Sequence, residues 1–152
     1  MKHTRITFAL LFGLLIAGCS AVSQSAQSNS QPTSNPSDDL TRTDEQGAVV
    51  IAVEPLNLRS VDQTLDFEVS LDTHSVDLSM DLAGLATLTT DTGVTTPAEI
   101  WDAPRGGHHV SGKLSFPASV NGTALLKDAT ELTLTIRDVD APERIFKWEL
   151  PK

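Results

Sequence analysis

From Gly47 onward, apolar and polar side chains alternate along most of the chain. Val49, Ile51 and Val53 fall on one parity. Leu65, Phe67, Val69 and Leu71 alternate with Asp66, Glu68, Ser70 and Asp72, and Leu132, Leu134 and Ile136 with Thr133, Thr135 and Arg137. Successive side chains of a strand point to opposite faces, so a period of two marks strands with one face buried. The same reading places further strands at 76–82, 85–90, 94–101, 110–116 and 144–150, the last with Phe146, Trp148 and Leu150 on one face. Turn residues punctuate them at Asp91-Thr92-Gly93, Arg105-Gly106-Gly107, Asn121-Gly122 and Asp140-Ala141-Pro142. No stretch of this region keeps a helical period. About seven or eight short strands with turns every 8 to 12 residues predict an all-β protein, an antiparallel immunoglobulin-like β-sandwich. One domain, 47–152, is the economical division for this length.

The first forty residues follow a different logic. Lys2 and Arg5 precede the apolar run 8–16, and no acidic residue occurs before Asp38. That is the layout of an export signal, and the run is too short for a confident membrane span of about 17 to 25 residues. It ends in Leu15-Ile16-Ala17-Gly18-Cys19, which resembles the bacterial lipobox: an aliphatic residue, two small residues, then the cysteine that receives the lipid. A thiol is the nucleophile that can become a thioether, and the small side chains seat beside the scissile bond. The resemblance implies removal of residues 1–18 and lipidation of Cys19, the only cysteine in the chain. It further implies a diacylglyceryl group and usually a third chain on that cysteine, and two acyl signals make anchoring stable where one is marginal. Residue 20 is Ser rather than Asp, which by the same resemblance favours the outer membrane, facing the periplasm, in a host with two membranes. From Ser20 to Asp39 the chain is Ser, Gln, Asn, Thr, Pro and Ala with hardly an apolar side chain, a composition that cannot offset its ordering entropy. Residues 19–46 are therefore expected to be a lipidated tether.

Charge narrows the partners. Loss of Lys2 and Arg5 leaves nine basic side chains against twenty acidic ones and takes the formal charge from −9 to −11. No basic cluster remains, which disfavours nucleic acid and anionic headgroups, both of which are held by Lys and Arg on phosphates. With its one thiol lipidated the domain has no intramolecular disulfide, so its core must hold it together.

Chemistry-bearing residues are few. His74, His108 and His109 lie near Asp72, Asp77, Met80, Trp101 and Asp102, and neutral imidazole is the commonest ligand for zinc or copper. Adjacent strand residues face opposite ways, so His108 and His109 share one metal only if Gly106 and Gly107 introduce a bend. Met80 shares the parity of Val76, Leu78 and Leu82 and reads as core, and Asp77 and Asp81 read as a solvated strand face. Gly-x-Ser-x-Gly elbows, phosphate-cradling glycine loops and paired-histidine zinc helices are absent, so the chain reads as non-enzymatic. Trp148 fits the core. Trp101 shares the parity of Pro97 and Glu99, which with Asp102 marks it as a candidate contact residue.

The segments 65–78, 106–109, 132–139 and 143–148 together look like an uncharacterised family of exported prokaryotic lipoproteins with an immunoglobulin-like domain, and 67–101 is similar to telokin-like domains. The resemblance implies the fold and the address but assigns no catalytic or binding residue. The expectation is a membrane-anchored, extracytoplasmic binding or interaction module with an envelope protein as partner and no cofactor. The alternative is a copper- or zinc-binding accessory protein of the envelope.

Overall fold

The computed structural model describes residues 39–151. Residues 1–38, with the expected signal segment 1–18, Cys19 and most of the expected tether 19–46, lie outside the described residues. Among those described, eleven strands follow one another: β1 (Arg42–Asp44), β2 (Val49–Pro55), β3 (Thr64–Thr73), β4 (Ala86–Thr90), β5 (Thr95–Pro97), β6 (Ile100–Asp102), β7 (His109–Pro117), β8 (Ser119–Val120), β9 (Thr123–Ala124), β10 (Glu131–Arg137) and β11 (Glu143–Glu149). One turn of 3-10 helix, Leu82–Gly84, precedes β4.

Strands β1-β2-β3-β7-β6 form one antiparallel sheet and β11-β10-β4-β5 the other, with β8 and β9 as a separate hairpin. Setting β1 aside, β2, β3, β7 and β6 take the places A, B, E and D of an immunoglobulin domain, while β11, β10 and β4 take G, F and C, with β5 added beside C. The protein is an antiparallel immunoglobulin-like β-sandwich.

The alternation seen in the sequence becomes the core. Ile51 lies opposite Leu71, Val53 opposite Val69, and Leu114 and Phe116 opposite Phe67 and Leu65. From the other sheet Leu132, Leu134, Phe146 and Trp148 complete the buried layer. Phe67 anchors both halves, edge-on to Phe116 at 5.7 Å and tilted against Trp148 at 5.4 Å. Truncating such a buried aromatic to alanine costs about 3–5 kcal/mol. Trp148 also donates its indole N–H to the Leu40 carbonyl at 2.6 Å, which fastens the start of the fold to the last strand.

Four details depart from the sequence reading. The fold begins before Gly47: β1 lies within the stretch assigned to the tether and pairs with 51–53 of β2. Residues 76–81 form a loop rather than a strand, because Leu78 and Leu82 fold under the end of the sandwich and plug it, which imitates strand parity. The 94–101 strand is two strands in different sheets. Pro97 ends β5; the Ala98 N–H then donates to Ala86 in one sheet and the Glu99 N–H to Ser115 in the other. The short β1, this split and the β8–β9 hairpin account for more strands than the seven or eight expected.

Register defines the two ends. Val49 lies opposite Thr73, and Asp72 opposite His109, at one end. Arg42 lies opposite Val53, so Leu40 sits near Pro55 at the other. The ten-residue β3 separates them by roughly 30 Å at about 3.3 Å per residue. These are called below the loop end and the Leu40 end.

Candidate functional site at the loop end

Thr73 closes β3 and starts the site. Its buried hydroxyl donates to the Ala48 carbonyl at 2.7 Å and accepts the N–H groups of Ser75 and Val76, a hydroxyl-closed turn of the kind Ser and Thr favour. His74 is thereby thrown outward and exposed. The Thr73 N–H bonds the His108 carbonyl at 2.9 Å, the Leu78 N–H bonds Gly107, and the Gly106 N–H bonds Leu78. The loops 74–85 and 103–108 are thus stitched into one surface, and Arg105 reaches across to Asp81 at 3.0 Å. Gly106 and Gly107 have φ of +80° and +106°, conformations that side-chain-bearing residues rarely adopt, so the glycine pair is what permits this stitch.

The three histidines do not converge as a set. His109 opens β7 on the outer face and its Nδ1 lies 2.5 Å from Asp72 Oδ1. A carboxylate only accepts, so Nδ1 carries the hydrogen and, in the neutral ring, Nε2 is left with its lone pair. Both side chains are more than half exposed, where an ion pair contributes about 0–1 kcal/mol, so the pair orients the ring more than it stabilises the fold. The His74 ring stands edge-on to His109 with centroids 6.4 Å apart. His108 is exposed and joins them only through its backbone. Among the described residues no three His, Cys, Asp or Glu side chains form a group able to hold a metal ion.

Trp101 and Asp102 lie on the edge strand β6. Trp101 is half-buried against the core opposite Leu114, not projecting as its parity with Pro97 and Glu99 suggested, because the change of sheet at Ala98–Glu99 turns the strand over. The exposed apolar side chain here is its neighbour Ile100, at 53%. Asp102 is exposed beside Lys113 in register. A Cβ on Gly112 would lie 2.4 Å from the Asp102 carbonyl oxygen and from the Ala103 Cβ, so glycine is what lets β6 cross β7 this closely.

Beneath the surface lies a clamp that motif reading missed. Arg144 is fully buried, donating from Nε to the Val139 carbonyl at 3.1 Å, from Nη1 to Asp44 Oδ1 at 2.5 Å and from Nη2 to the Gln46 carbonyl at 2.6 Å. The turn after β1 is so fixed to the turn between β10 and β11, and Asp140 adds a bond to the Ala48 N–H. Burial acts to raise the Asp44 carboxyl, but hydrogen bonds from the Gln46 side chain and backbone, with the Arg144 guanidinium, outweigh it and hold the group below its ordinary value. The signal was in the sequence: Arg144 shares the inward parity of Phe146 and Trp148.

The class defined by this architecture is an immunoglobulin-like sandwich with a stitched loop surface at one end. No family model matches the chain and no curated protein matches it. Among solved structures, a DUF4426 family protein from Pseudomonas aeruginosa PAO1 is 11% identical, with a TM-score of 0.40 over 74% of this chain and 97% of that one. Among the described residues no helix is long and apolar enough to cross a membrane.

Proposed function

We propose that the protein is a lipid-anchored, extracytoplasmic interaction module that presents its loop end to a protein of the cell envelope. The observation that carries this reading is polarity along the sandwich: the chain comes in at Leu40, and the stitched loops 74–85 and 103–108 sit at the opposite end. A domain tethered through Cys19 would have the Leu40 end nearest its point of attachment and the loop end farthest along the sandwich from it. Loops held by a rigid sandwich are where such domains carry recognition. The test is photo-crosslinking in cells, with the reactive residue placed at Ser79, Asp102 or His108 and, as a control, at Thr133 on the outer face of β10. One discrete adduct from the loop-end positions and none from Thr133 supports the reading. Equal adducts from all positions, or none, contradict it.

A second reading, copper or zinc binding, draws on the approach of His74 to His109 and on the Asp72 bond that leaves Nε2 available. It predicts saturable binding lost in His74→Ala and His109→Ala and retained in His108→Ala. Binding weaker than roughly millimolar, about 4 kcal/mol, would sink it.

A further inference from the structure

Grooves of about 280 to 570 Å³ meet around Leu40 and Leu58 at one end of the sandwich, but the side chains that converge on a point stand at the other. His109 is the first residue of β7 and lies opposite Asp72, and His74 follows the turn that the Thr73 hydroxyl closes. The Asp72 carboxylate fixes the His109 tautomer, with the hydrogen on Nδ1 and a lone pair on Nε2. A carboxylate behind the imidazole is the outer shell that metal-bound histidines carry, and it raises the basicity of the ligating nitrogen. The two ring centroids are 6.4 Å apart with their planes at 82°. Two imidazoles on one zinc, with Zn–N of about 2.0–2.1 Å, hold their centroids roughly 5 Å apart. A small turn of two exposed side chains closes that difference. Two nitrogens are half of a tetrahedral zinc set, and among the described residues no third His, Cys, Asp or Glu side chain completes a group able to hold a metal ion.

We propose that His74 and His109 are a half-site, completed by the same two histidines of a second copy, so that one zinc ion joins two chains at their loop ends. The inference rests on the metal-binding reading above and supplies the ligands that reading lacks. A two-fold axis through the ion places two imidazoles from each chain around it. That is the four-coordinate tetrahedral set of a closed zinc site, and it uses one surface patch twice, as two-fold pairing requires. Four imidazoles so arranged suit zinc, whereas copper(II) takes tetragonal sites. Asp72 is engaged at Nδ1 of His109, which makes it an orienting residue rather than a ligand. His108 joins the group only through its backbone and stands outside the set. The surface beside the two rings is low enough for a copy to approach: Ser70 lies opposite Ser111, and Val50, 36% exposed, lies opposite Asp72. The formal charge of −9 sets two copies against each other when the ion is absent, so the pairing depends on zinc.

The test uses the protein as bacteria process it, purified in mild detergent, with zinc chloride as the probe and native mass spectrometry as the readout. One zinc per two chains is expected, and EDTA should return the pair to single chains. His74→Ala and His109→Ala should each remove the pair, and His108→Ala should keep it. Asp72→Asn should keep the pair but weaken zinc binding by about ten- to a hundred-fold. All four side chains are exposed, so the variants should melt with the wild type in the absence of zinc. One zinc on each single chain overturns the pairing and leaves the metal-binding reading standing. No zinc on any chain at about millimolar zinc, the weakest binding that matters here, overturns both. A pair that persists in EDTA, or that His108→Ala also removes, overturns the four-histidine bridge.

Discussion

Replacing Asp44 with alanine takes a carboxylate from a guanidinium that has no access to water. Removing one partner of a buried ion pair costs about 3–5 kcal/mol, chiefly because the other charge is left desolvated. Two features hold the loss near the lower figure. The Asp44 side chain keeps 16% exposure, and Arg144 keeps the Val139, Gln46 and Asp44 carbonyls. A loss of about 3 kcal/mol is a large share of the 5–15 kcal/mol of an ordinary domain and lowers the melting temperature by about 10–20 °C. Urea unfolding at pH 7, followed by tryptophan fluorescence, measures it. The companion variant Asp44→Ala/Arg144→Met removes both charges and should recover much of the loss, since an apolar replacement of a buried pair is often neutral. The sign with pH follows from the lowered Asp44 carboxyl. Its contribution is complete above the unfolded value of about 3.9, and is lost as pH falls through the folded value. The wild type should therefore lose stability in that acid window more steeply than Asp44→Ala. A single-variant loss below about 1 kcal/mol, or a double variant less stable than Asp44→Ala, refutes the clamp.

Other consequences are as direct. Gly112→Val drives its side chain into Asp102 and Ala103, so β6 should detach; a loss of at least about 2 kcal/mol and a red-shifted Trp101 emission are expected. Trp148→Phe removes the bond to the Leu40 carbonyl and should cost about 2 kcal/mol while speeding amide exchange across 40–44. Asp91 accepts both the N–H and the hydroxyl of Thr130, at 2.9 and 2.6 Å, so Asp91→Ala should accelerate exchange of the Thr130 amide without unfolding the sheets.

What was legible in the sequence was whatever alternates over a long run. The long strands β2, β3, β7, β10 and β11 each have one face on the core, and their parity therefore declares them. Parity failed where burial was not strand burial. Leu78 and Leu82 are buried because a loop tucks beneath the sheets, and Trp101 changed faces because the strand around it changed sheets. Of the candidate site residues, His74 and His109 meet because Thr73 ends its strand one residue short of His74, and no spacing rule encodes that. His108 stands one residue before β7 begins, after the left-handed Gly106 and Gly107, and joins the other two only through its backbone. The apolar grooves around Leu40 and Leu58 escaped notice because their walls come from four separate segments, Leu40, 54–60, 126–129 and 150–151, that share no local period.

The proposed anchor is tested most directly by the mass of the N-terminal peptide of the protein extracted from membranes. A peptide that begins at Cys19 and carries two or three acyl chains is expected. A peptide that begins at Met1, or an unmodified Cys19 on protein recovered in the soluble fraction, would contradict it.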